Sequence, residues 1–153
     1  MTDDDPFVKI EMFLEDEALR PIYAHFGDAG ADLRSAIDVI IPPGERMLVG
    51  TGVHVAIPRG YVGLVHPRSG LALKHGITVL NAPGTIDAGY LGEIGVILYN
   101  TSDKYFAVGV GDRIAQLVIQ KVEVGYFALV SEEEFAKNTT HRGDGGYGST
   151  GVG

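Results

Sequence analysis

Glycine and proline interrupt this chain so often that a bundle of long helices is excluded: 22 glycines and 7 prolines make up 29 of the 153 residues. That density of turn-formers implies many short strands. Val53, Val55 and Ile57 alternate with Gly52, His54 and Ala56. Pro58-Arg59-Gly60 then turns the chain and residues 61–65 resume the pattern, which predicts a hairpin. Residues 94–99 are almost continuously apolar and predict a strand covered on both faces. Within residues 114–121, Ala115, Leu117 and Ile119 share one face, opposite Gln116 and Gln120. Further strands are expected at 7–13, 39–41 and 126–130, with turns at 42–44, 82–84 and 109–112. The spacing is that of an all-β sandwich or barrel. One short helix is expected from Ser69, as its cap, to Gly76 as its left-handed end. The Ser-x-x-Glu spacing from Ser131 predicts one more turn.

Charge and composition narrow the function. The net charge is -8, yet residues 21–130 are nearly neutral, with nine acids and eight bases. Without a basic stripe, polymeric nucleic acid is not an expected partner, whereas a small anion held by a few arginines is compatible. The chain has no cysteine, which removes disulfides, thiolate metal sites and cysteine nucleophiles. No apolar run reaches the ~18 residues of a membrane helix. The first residues are acidic, unlike a signal peptide, so the cytoplasm is the expected compartment.

Familiar nucleotide motifs are missing: there is no P-loop and no Gly-x-Ser-x-Gly, and Gly109-Val110-Gly111 lacks the third glycine of the dinucleotide fingerprint. The five histidines show no metal-ligand spacing. Four other segments stand out. They are Asp28-Ala29-Gly30-Ala31-Asp32-Leu33, His66-Pro67-Arg68-Ser69-Gly70-Leu71-Ala72, the run from Asn81 to Glu93, and Gly111-Asp112-Arg113-Ile114-Ala115-Gln116-Leu117. A fifth, from Arg142 to Gly151, interleaves five glycines with Arg142, Tyr147, Ser149 and Thr150. Backbone amides near glycine can wrap a phosphate, arginine supplies charge, and tyrosine can stack on a base. Taken alone, that segment reads equally as a disordered tail, and Asp87 as a turn former.

In this order, the five segments resemble the motifs of the homotrimeric deoxyuridine triphosphate pyrophosphatase (dUTPase) family, over nearly the whole chain from Gly27 to Gly151. The resemblance implies a jelly-roll-like β-barrel or sandwich over residues 1–141, with one short helix. It implies a flexible glycine-rich C-terminal lid over 142–153. It also implies a homotrimer with shared active sites, and hydrolysis of dUTP to dUMP and pyrophosphate with Mg²⁺. That reaction lowers dUTP, keeping uracil out of DNA, and supplies dUMP for dTMP synthesis.

By the same resemblance, Asp87 orients and activates the attacking water. Asn81 binds the uracil edge with the backbone around Thr85, Ile86 and Asp87, and its amide offers both a donor and an acceptor for that task. Tyr90 lies under the deoxyribose, where a 2′-hydroxyl has no room. Arg68, Ser69 and Gly70 form the phosphate loop. Gln116 points to the phosphates or the water, and Asp32 orients groups near the catalytic centre. No direct protein ligand to the metal is implied: Mg²⁺ rides on the substrate phosphates and water, with Asp32 a candidate to reach it through water. Arg142 meets the terminal phosphate, Ser149 and Thr150 add donors, and Tyr147 covers the base where the family usually has Phe. Gly95 stands where some relatives carry a longer side chain. Two other readings are a dCTP deaminase of the same fold and a non-catalytic nucleotide- or partner-binding module. Deamination needs a proton-shuttling carboxylate at the base, and the run from Asn81 to Gly92 contains no Glu.

Overall fold

The computed structural model describes residues 7–146. Ten strands follow in chain order: β1 (Glu11–Leu14), β2 (Gly30–Arg34), β3 (Val39–Ile41), β4 (Arg46–Ala56), β5 (Tyr61–His66), β6 (Ile77–Val79), β7 (Gly84–Ile86), β8 (Glu93–Asn100), β9 (Phe106–Val108) and β10 (Arg113–Lys121). Among the described residues, helix is confined to a 3-10 turn at Glu17–Leu19, α1 (Ser69–His75) and α2 (Glu132–Phe135). One antiparallel sheet has the order β1-β4-β8-β6, a second β2-β10-β5-β7, and β3 pairs with β9. This is the all-β architecture, with little helix, that the strand spacing predicts. No helix among the described residues is long and apolar enough to cross a membrane.

Alternation builds the core. Val49, Val53 and Val55 of β4, Val96 and Leu98 of β8, Leu33 of β2, Val65 of β5 and Leu117 of β10 are buried in one cluster fed by both large sheets. Each such side chain contributes about 1.5–3 kcal/mol when fully buried. The three buried polar side chains among the described residues are all bonded: Thr51 Oγ1 donates to Ile94 O at 2.7 Å, Asn100 Nδ2 to Ile41 O at 3.0 Å and Ser35 Oγ to Ile37 O at 2.6 Å. The compact unit ends at Glu123, and Val124 to Gly153 form a second unit that contains α2.

Several expectations are corrected. Strands β4 and β5 do not form a hairpin: β4 pairs with β1 and β8, β5 with β10 and β7. Alternation marks which face is apolar but not which sheet a strand joins, and the turn after β4 carries the chain across the sandwich. Strand β8 buries only one face, with Ile97 and Tyr99 half-exposed on the other. Residues 126–130 form no strand. Tyr126, Phe127 and Leu129 are over 90% exposed, because no neighbouring strand is available to their backbone among the described residues. Ser69 is the first residue of α1 rather than its cap, which is Arg68, without a side-chain capping bond. Gly76 ends the helix at φ 66, and Ser131 caps α2 by accepting from Glu134 N, both as expected.

Candidate active site

Strand pairing aligns three polar residues across the second sheet. Gln116 on β10 lies opposite Asp32 on β2 and opposite His66 on β5. Just past β5, Arg68 Nε sits 3.2 Å from Asp32 Oδ1. Arg113 Nη1 lies 3.5 Å from Asp32 Oδ2, and Arg68 Nη1 donates to Arg113 O at 3.3 Å. Gln116 Nε2 donates to Pro67 O at 3.0 Å. Asp32 therefore holds two guanidinium groups side by side, next to the Gln116 amide.

Arg113 is the member of this group that the sequence reading missed. Plain alternation from Gln116 would point Arg113 inward. A bulge between Arg113 and Ala115 leaves Ile114 and Ala115 both buried and returns Arg113 to the face of Gln116. Gly30 makes room on the same face: a Cβ there would overlap the Gln116 side-chain amide.

The third segment forms a separate pocket of about 210 Å³. It sits where the edge strands β6 and β7 of the two large sheets are joined by a short turn through Asn81. Because β7 is an edge, one side of its backbone is unpaired within the sheet. Thr85, Ile86, Asp87, Asn81 and Tyr90 all line the pocket, together with Gly95. Ile86 itself is buried, so it contributes mainly backbone to the wall. The Asp87 carboxylate is exposed and makes no side-chain bond among the described residues. Tyr90 is fixed by its hydroxyl, which donates to Glu93 O at 2.8 Å, and its ring occupies the space that a Cβ at Gly92 would need. Glu93, to which the sequence reading gave no role, also lines the wall; its carboxylate accepts from Gly52 N at 2.8 Å.

The pocket lining includes none of Asp32, Arg68, Ser69, Gly70 or Gln116. One chain thus carries two distinct polar groups, one with the paired arginines and one with Asp87. Ser69 and Gly70 are exposed at the start of α1, beside the arginines, and a Cβ at Gly70 would meet nothing in this chain within 4 Å. Arg142 is exposed and turns back on itself, Nε donating to Gly145 O at 2.7 Å. Tyr147, Ser149 and Thr150 lie outside the described residues. Among the described residues, no three or more His, Cys, Asp or Glu are grouped to hold a metal ion. Both Asp32 oxygens already face guanidinium groups.

The dUTPase family model matches residues 16–151. The chain belongs to the dUTPase family. It is 55% identical over 139 residues to the deoxyuridine 5'-triphosphate nucleotidohydrolase of Corynebacterium glutamicum, covering 90% of this chain and 91% of that one. The enzyme of the same description from Mycobacterium marinum is 57% identical over 133 residues, 86% of each chain. A dUTPase of staphylococcal bacteriophage 80alpha, solved with dUpNHpp, has a TM-score of 0.84 and 32% identity, covering 94% of this chain and 99% of its own. A point mutant of the dUTPase from phage phi11 of S. aureus has a TM-score of 0.75 and 30% identity, covering 82% and 98%; its structure details the coordination of a structural Mg(II) ion. The dUTPase match extends past Glu123, so the second unit is part of the family's sequence pattern.

Proposed function

We propose that this dUTPase, which hydrolyses dUTP to dUMP and pyrophosphate, does so in a site completed by neighbouring copies, with Asp87 as the group that orients and deprotonates water. The reaction adds water across the P–O–P anhydride bridge between the α and β phosphates: a new P–O bond forms from the water, one P–O bond of the bridge breaks, and Asp87 takes the water proton. The observation that carries the reading is the Asp87 carboxylate, without a partner among the described residues, in a pocket beside Asn81 and Tyr90. The Asn81 amide and the free edge of β7 match the alternating acceptors and donor of uracil. Tyr90 supplies an apolar floor for the sugar. At about 210 Å³ the pocket falls below the ~300 Å³ at which small-molecule sites usually begin, so it suits base and sugar and leaves the phosphates outside.

The triphosphate then needs cationic and hydroxyl groups, which the Arg68, Ser69 and Gly70 segment offers. Asp32 keeps Arg68 and Arg113 oriented before substrate arrives, so little reorganisation is left for the reacting state. Gln116 adds an amide at their side. The donor set fits Mg²⁺ carried by the substrate phosphates and waters, reached from Asp32 through water, and not an all-protein cage. When bound, the ion supplies neutralisation of phosphate charge.

Two observations support a homotrimer with shared sites. The arginine group and the Asp87 pocket are separate within one chain. Apolar surface is also left uncovered: Leu48 is 67% exposed, and Tyr126, Phe127 and Leu129 more so. Residues 142–153 act as the lid over the bound nucleotide, Arg142 on the terminal phosphate, Tyr147 on the base, and Ser149 and Thr150 as further donors. A cysteine-free composition supports a reducing compartment, the cytoplasm. Nothing favours the deaminase: the one glutamate in the pocket wall has its carboxylate engaged by Gly52. The test is pyrophosphate release from a panel of deoxynucleoside triphosphates with and without Mg²⁺. Selective turnover of dUTP supports the reading, and turnover of none or of all refutes it.

A further inference from the structure

The loop from Asp87 to Glu93 carries the proposed water-activating group and the sugar floor, yet few bonds hold it. Tyr90 N donates to Asp87 O at 3.0 Å and the Tyr90 hydroxyl to Glu93 O, both within the loop. A tie to the rest of the barrel comes from β4. Its ladder with β8 shifts register between Gly50 and His54, and directly after this irregularity His54 lies opposite Glu93. The ring Nδ1 is 3.1 Å from Leu91 O, and Nε2 is 3.3 Å from Glu15 Oε1. Phe13 packs against the ring, with centroids 5.5 Å apart.

We infer that His54 is a positioning residue for the reaction, an imidazolium strut that fixes the Leu91 carbonyl and with it the loop bearing Asp87 and Tyr90. The inference rests on the role proposed above for that loop. Its chemistry is in the partners: a carbonyl and a carboxylate both accept, and only the doubly protonated ring donates to both at once. The charged groups around the ring are Glu15 after β1, Glu93 at the start of β8, and Glu11 of β1, which shares a surface groove with it. Lys9 is engaged by Glu11 at 2.8 Å. The bond to Leu91 O and the one to Glu15 raise the His54 pKa above its usual value, and the charge of Glu93 acts in the same sense. Sequence reading gave this histidine no role because its partners are 37 and 39 residues away.

Two isosteres separate the bonds. In His54→Asn the side-chain NH₂ falls near Nδ1 and can still donate to Leu91 O. In His54→Gln it falls near Nε2 and reaches only toward Glu15. The experiment measures kcat and KM for dUTP, together with amide hydrogen exchange over residues 88–92, in wild type and in the Ala, Asn and Gln variants. A displacement of 1 Å can cost ~100-fold in rate, so His54→Ala is expected to lower kcat by about tenfold with little change in KM. His54→Asn restores both kcat and exchange protection, and His54→Gln restores neither. Unchanged kcat and exchange in His54→Ala, or rescue by Gln but not Asn, overturns the inference. Faster exchange in His54→Ala with unchanged kcat also overturns it. If His54→Ala does not fold, the Asn and Gln variants decide alone. Failure of the reading on which this rests shows differently, as a wild-type protein that does not turn over dUTP; the exchange data then still report whether His54 holds the loop.

Discussion

Asp87 lines the pocket with an exposed carboxylate that has no partner among the described residues, so its charge is available to a water molecule. Asp87→Asn keeps the shape and removes the charge. Steady-state turnover of dUTP should fall ~10²–10⁴-fold, the usual cost of losing a general base, while titration with a non-hydrolysable analogue shows binding retained. Gly30 offers a second test, because a Cβ there collides with the Gln116 amide and also sits 3.0 Å from the Gln116 Cβ. The Gly30 φ is not positive, so alanine fits the backbone. Gly30→Ala should lower Tm modestly, since the end of Gln116 can yield but its Cβ cannot, and lower kcat on the order of tenfold as that amide leaves its bond to Pro67. The His54 pKa is raised on folding, so its protonation stabilises the folded chain most at low pH. That contribution is complete below the unfolded value of about 6.5 and is lost as pH rises through the folded value. Plotted against pH, the Tm difference between wild type and His54→Ala should be largest on the acid side and shrink through that window.

The sheet elements show how far the sequence was legible. Turn residues and alternation located β3, β5, β8 and β10 because both signals are local. Sheet membership was not legible: the path from β4 to β5 crosses the sandwich, yet it reads like a hairpin, since either route buries Val53, Val55 and Val65. Arg113 was missed for a related reason, as a bulge reverses the alternation that would have turned it inward. All five proposed residues of the third segment do reach one pocket, because a short stretch of chain holds them together. The Asp32 and Arg68 pair, brought together by strand order, was legible only as separate motifs. The arm from Arg142 onward belongs to this scale too. Deleting it should leave the Tm of the strand-built unit unchanged, because that unit ends at Glu123. Turnover should drop by an order of magnitude or more if the arm closes the site. Calorimetry beside a steady-state assay checks this, and full activity after truncation refutes the lid.

At the scale of the whole molecule, a single chain keeps two polar groups apart: the arginines held by Asp32, and the pocket holding Asp87. A closed cyclic assembly lets the group of one copy face the pocket of the next. The apolar surface left bare at Leu48 and along residues 124–129 gives such an assembly something to bury. Its mass would be about three times the 16.3 kDa chain. The most direct test mixes two inactive chains, Asp87→Asn and Arg68→Ala, by unfolding and refolding them together. Each chain lacks one of the two groups and retains the other. Shared sites predict that dUTP turnover, negligible in either variant refolded alone, returns in the mixture to a sizeable fraction of wild type. A mixture that co-assembles yet shows no more turnover than the sum of its parts would contradict the account, since every site would then be built within one chain.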